Sequence, residues 1–216
     1  MTRSLRVPLL VVVVLVLVAI AVNLAGAGGR DTEERNFAAP AVPPLIMTAY
    51  VGAASRVVEL SPGCTGLSWS ILAGVGAVES GHARGRTLAA NGDVTPQVIG
   101  PRLDGSGVGG NITPIIDTDG GALDGDVEFD RAVGPMQFLP ETWTRWSRDG
   151  NGDGLDDPHN IFDAALGSAA FLCGIGPADL ADRAQLIAAL TRYNNSASYV
   201  GDVLAYADAY AAAPAP

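Results

Sequence analysis

Glu79 closes a run in which nearly every other side chain is apolar or missing, Ile71-Leu72-Ala73-Gly74-Val75-Gly76-Ala77-Val78-Glu79-Ser80-Gly81. At helical spacing it falls about 20° from Leu72 and about 40° from Val75, on the face a buried helix turns inward. A carboxyl held there loses hydration, so its pKa rises and the protonated form persists near neutrality. Such a group can protonate a leaving oxygen, the task of a general acid. The alternative is a Glu79 that turns outward at a fraying helix end and is merely solvated, and spacing alone does not separate the two.

Three further segments carry chemistry. Asp149-Gly150-Asn151-Gly152-Asp153-Gly154-Leu155-Asp156-Asp157 fits the first half of a calcium loop. Its ligands would be the side chains of Asp149, Asn151, Asp153 and Asp157 with the Leu155 carbonyl. Position 12 is Asn160 instead of a bidentate glutamate, and the competing reading is an Asp/Gly turn without metal. Gly134-Pro135-Met136-Gln137-Phe138-Leu139-Pro140 sets one amide, Gln137, among apolar neighbours, where it needs internal partners or faces a ligand. Tyr193-Asn194-Asn195-Ser196 places polar side chains between two helices, either as caps or as site groups.

The elements that must position these groups are mainly helical. Helices are expected over Leu45–Glu59, Ser68–Ser80, Pro140–Ser147, Ile161–Cys173, Ala178–Arg192 and Ser198–Ala212. Pro140 suits a first turn, Asn160 an N-cap, and Gly81 and Gly174 the stops. Phe162, Leu166, Ala169 and Cys173 predict one buried stripe. Asp104 to Asp130 holds seven acidic residues, seven glycines and no base. This predicts a long acidic loop with a short hairpin around Ile112 to Ile116, and loops of that length in a compact domain commonly bind something.

Composition narrows the function. Of 216 residues, 13 are basic, all arginine, against 23 acidic, for a net charge of -10. No basic face exists to neutralise phosphates, which excludes a general nucleic-acid binder. Without lysine there is no P-loop. Two histidines and two cysteines are too few for a zinc site of Cys and His. Arg3 and Arg6 precede an apolar run from Val7 that extends to Ala27, long enough for a transmembrane helix across about 30 Å of hydrocarbon. Residues 1–27 therefore read as a signal anchor or, with Ala25-Gly26-Ala27 as the cleavage site, a signal peptide. Residues 28–43 read as a flexible tether and 213–216 as a disordered tail around one domain at 44–212. That domain would lie on the extracytoplasmic side of the cell membrane, or be secreted after cleavage. There Cys64 and Cys173 would oxidise if close, closing a loop of about 110 residues; two separate buried thiols are the alternative.

Taken in order, Val78-Glu79-Ser80-Gly81, Ala132-Val133-Gly134-Pro135-Met136-Gln137-Phe138-Leu139-Pro140, the Asp149 to Asp157 loop, Asn160-Ile161-Phe162-Asp163-Ala164-Ala165 and Arg192-Tyr193-Asn194-Asn195-Ser196 resemble the lytic murein transglycosylases. The resemblance is greatest to the membrane-bound B type, in the short form of Gram-positive bacteria with high genomic GC content. It implies a lysozyme-like, mainly α-helical domain with a cleft for peptidoglycan glycan strands. The implied reaction cuts the β-1,4 bond between N-acetylmuramic acid and N-acetylglucosamine and leaves a 1,6-anhydromuramyl end, with no cofactor for catalysis. On this resemblance Glu79 is the catalytic acid. Ser80, Met136, Gln137, Phe138, Tyr193 and Asn194 fall on substrate-binding positions, and the calcium-like loop on an EF-hand-like structural Ca2+ site. The chain departs from the pattern in being shorter than the long B-type enzymes and in its acidic insert, which matches no motif. Two other functions stay open. One is a hydrolytic muramidase, with Asp117, Asp119, Asp126 or Asp130 as second carboxylate. The other is a non-catalytic cell-wall module, in which Glu79 would be exposed. Protein partners are not indicated.

Overall fold

The computed structural model describes residues 39–213. The anchor or signal peptide expected at 1–27, the tether up to residue 38 and the tail at 214–216 lie outside the described residues. Among the described residues no helix is long and apolar enough to cross a membrane.

The domain is mainly α. In chain order it comprises α1 (Pro44–Leu60), β1 (Cys64–Thr65), α2 (Trp69–Ser80), β2 (Thr87–Leu88), β3 (Val94–Thr95), β4 (Ile99–Arg102), a 3-10 turn (Val108–Gly110), β5 (Arg131–Val133), α3 (Pro140–Trp146), α4 (Ile161–Cys173), β6 (Ala178–Asp179), α5 (Arg183–Tyr193) and α6 (Ala197–Ala212). The strands form three two-stranded ladders, β1 with β6 in parallel and the pairs β2–β3 and β4–β5 antiparallel.

Helix ends follow local chemistry. Gly81 closes α2 at φ 59°, and its N–H reaches Ala77 O. Asn160 caps α4 by accepting the Phe162 N–H at 3.0 Å. One boundary differs from expectation. Ala178 and Asp179 are strand, and α5 begins at Arg183, because Asp182 caps it there by accepting the Gln185 N–H at 2.9 Å. The stripe expected on α4 is also too narrow. Nearly the whole helix from Ile161 to Cys173 is buried, with Phe162 and Phe171 at its edge. Its Ala, Gly and Ser residues admit neighbours on every side, so this is a central helix and not an amphipathic surface one.

α2 is buried from Ser70 to Gly76. It lies against α6 so closely that a Cβ on Gly74 would come 2.5 Å from Val203 O. Dispersion over this contact, together with the apolar side chains of α1 and α4, closes the core around the helix that ends in Glu79. Cys64 and Cys173 form a disulfide with Cα atoms 5.5 Å apart, linking β1 to the end of α4.

The acidic segment is built differently from the expected hairpin at Ile112 to Ile116. The paired strands are its two ends, β4 and β5, with Ile116 opposite Phe129 further out. Between them the aspartates hold the chain by accepting its N–H groups. Asp117 takes those of Asp119, Gly120 and Gly121, and Asp119 those of Ala122 and Leu123. Arg102 binds Asp126 and Glu128 and lies over the Phe129 ring. Side-chain capping of this kind replaces a regular ladder where glycines are frequent.

Candidate active site

Glu79 sits on the last turn of α2 and faces α6. Tyr199 donates its hydroxyl hydrogen to Glu79 Oε1 at 2.6 Å. Burial is the main influence on this carboxyl and pushes its pKa up to about 7, while the Tyr199 bond pulls the other way. Glu79 as a residue is half-buried, and desolvation is the largest influence on its carboxyl. The outward, solvated alternative for Glu79 therefore does not describe this protein.

Tyr199 stacks on Tyr193, with centroids 6.3 Å apart and planes 12° from parallel. Burial and the neighbouring Glu79 charge raise both phenols, so both remain protonated donors. Tyr193 donates to Met136 O at 2.8 Å and lies 3.0 Å from the Ser168 hydroxyl. Phe171 and Phe138 close around its ring at 5.1 and 5.8 Å.

The turn Gly134–Gln137 bridges the ends of α2 and α5. Val133 and Phe138 exchange backbone bonds at its base, at 2.8 and 3.0 Å. Ser80 donates to Pro135 O at 2.7 Å and accepts the Ala83 N–H at 2.8 Å. Gln137 adopts φ 51° and donates from Nε2 to Gly134 O at 2.8 Å. With Thr142, Phe171, Arg192 and Tyr193 it lines a cavity of about 150 Å³. This is smaller than a typical ligand pocket of about 300–1,000 Å³.

The structure thus draws Glu79, Ser80, Gln137 and Tyr193 into one neighbourhood. Met136 has no exposed surface, while Phe138, 3% exposed, packs in the core and also lines the cavity beside Gln137. Successive residues of a tight turn cannot all face the same way, and Gln137 is the most open of these three side chains. Ser80 is engaged with backbone on both sides and holds the turn in place. Asn194 caps the end of α5 and is exposed. Tyr199 was not singled out in the sequence. The available signal was an aromatic three residues beyond the Ser196 cap, on the inward stripe continued by Val203 and Tyr210.

The carboxylates of the Asp149 to Asp157 loop accept N–H groups of the loop itself. Asp149 accepts N–H from Gly152 at 2.6 Å and Gly154 at 2.9 Å. Asp153 accepts from Leu155 N at 2.8 Å and from the Asn151 amide at 2.9 Å, and Asp157 from His159 N at 2.8 Å. Asp163, on α4 and buried, fills the loop from inside by accepting from Gly150, Asn151 and Asp157 N–H groups. In this arrangement the loop is a self-capped turn, with its own N–H groups bonded to its acids. Among the described residues, the acidic group whose oxygens lie within 4.8 Å of one another is Asp117, Asp119 and Asp130 in the insert.

Those insert acids, proposed above as second carboxylates for hydrolysis, are engaged at home. Asp130 accepts from Thr118 N and Oγ1, and Asp126 binds Arg102 and Arg131.

No protein-family model matches the chain, and no curated protein matches it. Among solved structures it is similar to the Escherichia coli lytic transglycosylase Slt35. Against the complex with bulgecin A the identity is 14% and the TM-score 0.46, over 80% of this chain and 75% of that one. Against the complex with calcium the values are 14% and 0.47, over 80% and 76%.

Removing the Tyr199 hydroxyl tests the electrostatics of the site. The bond favours ionised Glu79, so Tyr199→Phe is expected to raise the Glu79 pKa beyond about 7. If Glu79 acts as an acid, the alkaline limb of the rate profile moves to higher pH. The maximal rate falls by about tenfold, the worth of one charge-assisted bond. A pH–rate series of both proteins reads this, and an unmoved limb would refute it.

Proposed function

We propose that this chain is a lytic transglycosylase of peptidoglycan, with a lysozyme-like domain and Glu79 as its acid and base. The observation that carries the reading is the Glu79 carboxyl, pushed up to about 7 by burial and bonded to the Tyr199 hydroxyl beside the Gln137–Tyr193 cavity. The acids that could have supplied a second carboxylate are bound within their own loop. Hydrolytic glycosidases of the usual kind need two carboxyls; a lytic enzyme needs one.

In this mechanism Glu79 gives its proton to the glycosidic oxygen while the bond from the muramic C1 to that oxygen breaks. Positive charge at C1 is met by the sugar's own N-acetyl oxygen. The Glu79 carboxylate, held toward Tyr199, then removes the proton from the C6 hydroxyl as O6 bonds to C1. The glutamate ends protonated, as it began, and no water is consumed. A group that must both give and take a proton works best with a pKa near ambient pH, which burial supplies here. Gln137 and Tyr193 would hold sugar groups at the cavity they share. The strand would bind through sugar contacts, because a net charge of -10 offers no attraction to an anionic wall. Residues 1–27 would keep the domain at the outer face of the membrane, or direct its secretion.

The test is digestion of purified sacculi followed by mass spectrometry of the fragments. The expected products carry anhydromuramyl ends, each lighter by one water than a hydrolysis product. Hydrated ends would establish a muramidase instead, and no fragments at all a binding module.

A further inference from the structure

Beyond Glu79 the chain makes a turn that L-residues avoid. Gly81, His82 and Ala83 have φ of 59°, 60° and 54° in succession. One left-handed residue is common as a helix stop when it is glycine, but a run that includes histidine and alanine is unfavourable through Cβ contacts with the backbone. Such strain persists only where the surroundings over-determine it.

The surroundings do so through His82, which is 2% exposed. Its Nε2 lies 2.7 Å from Tyr210 Oη and its Nδ1 3.2 Å from Tyr50 Oη. Tyr210 in turn donates to Pro40 O at 2.8 Å. Counting hydrogens assigns the ring. Tyr210 spends its hydrogen on Pro40, so His82 Nε2–H must donate to Tyr210. Nδ1 is then bare and accepts from Tyr50. Burial, helped by the Arg84 charge, pulls the histidine down to about 4 and keeps it in this neutral form. Gly76 makes the contact sterically feasible, since a Cβ there would come 1.9 Å from Tyr50 Oη. The chain Pro40–Tyr210–His82–Tyr50 therefore joins the N-terminal entry of the domain, α6 and α1 to the strained turn three residues after Glu79.

We infer that His82 is a positioning residue for Glu79. Clamped between Tyr50 and Tyr210, it holds the left-handed turn that ends α2, and so keeps the acid enclosed against Tyr199. This rests on the reading of Glu79 as the acid, yet it concerns a residue that touches no substrate. Without the clamp the turn relaxes toward ordinary backbone, the last turn of α2 frays, and the carboxyl regains water.

Two variants test it in the full chain. His82→Asn keeps a residue that tolerates the left-handed backbone but cannot span both tyrosines. Tyr210→Phe keeps the ring and removes the acceptor for His82 and the donor to Pro40. Glu79 ionisation is followed directly by carboxyl carbon NMR of glutamate-labelled protein, with Glu79→Gln identifying the signal. Expected in both variants is a Glu79 midpoint at least one pH unit below that of the unaltered chain. The kcat on glycan strands falls about tenfold, with KM within twofold. An unmoved midpoint and kcat in folded Tyr210→Phe, whatever happens to the melting temperature, overturns the inference and leaves His82 a stabilising residue only. If Glu79→Gln proves fully active, the functional reading fails, while the titration still decides whether the clamp governs this carboxyl.

Discussion

Glu79→Gln is expected to lower turnover on sacculi by about 10³–10⁴-fold while the domain stays folded. General acid catalysis by a positioned side chain contributes about that much, and glutamine can neither give nor take the proton. The amide oxygen still accepts the Tyr199 hydroxyl, so the local packing survives. The same variant makes a distinctive change in stability. In the folded domain the Glu79 pKa is raised from 4.5 to about 7, so the folded state holds a proton that the unfolded chain releases between those values. The stabilising contribution is fully present below about pH 4.5. It is lost as pH rises through about 7. The unaltered protein therefore loses up to about 3 kcal/mol across this window through Glu79 alone, and the variant does not. Above pH 7 Glu79→Gln should melt higher than its parent, and below pH 4.5 the two should converge. Melting curves from pH 4 to 8 beside an anhydro-product assay check both halves. A variant that stays active, or that follows its parent in melting at every pH, would remove the assignment.

Replacing Cys64 and Cys173 together by alanine should cost about 4 kcal/mol. The bond joins positions 109 residues apart, and in the chain-entropy view a closure of that length removes a large share of the unfolded chain's freedom. It also pins β1 and β6 side by side, and pairing of two residues each would not hold alone. For a domain of this size the loss corresponds to a drop in Tm of about 10 °C. Thermal melts of the oxidised, reduced and doubly substituted forms at one pH decide the matter, with the last two expected to coincide. Equal melting of all three would mean that packing of the two cysteines, each 3% exposed, and not the covalent link, holds this corner.

Much of the fold was legible because helix ends are settled within a turn or so of chain. Pro140 begins α3, Asn160 caps α4, and Gly81 and Gly174 end α2 and α4 where their types indicate. Glu79 was legible for a related reason. Seven residues of helical periodicity suffice to place it on the face of Leu72, and a helix without a polar side has to be enclosed. Where periodicity is diluted by glycine, as between Asp104 and Asp130, the chain offered composition but no pairing. The β4–β5 ladder joins residues some thirty positions apart, and no short pattern encodes it.

By itself, then, the amino-acid order determined which helix would be buried and that an ionisable group would terminate it. It also contained both halves of a disulfide. Only the packed domain decided that Tyr199, 120 positions away, would meet the acid. Packing also turned Gln137 outward and Met136 inward, and filled the Asp149 to Asp157 loop with the Asp163 carboxylate. These encounters depend on how closely α2 approaches α6 and on which face of a tight turn is left uncovered. Such distances come from the summed dispersion and exclusion of many side chains at once, and they leave no trace in the spacing of any one segment.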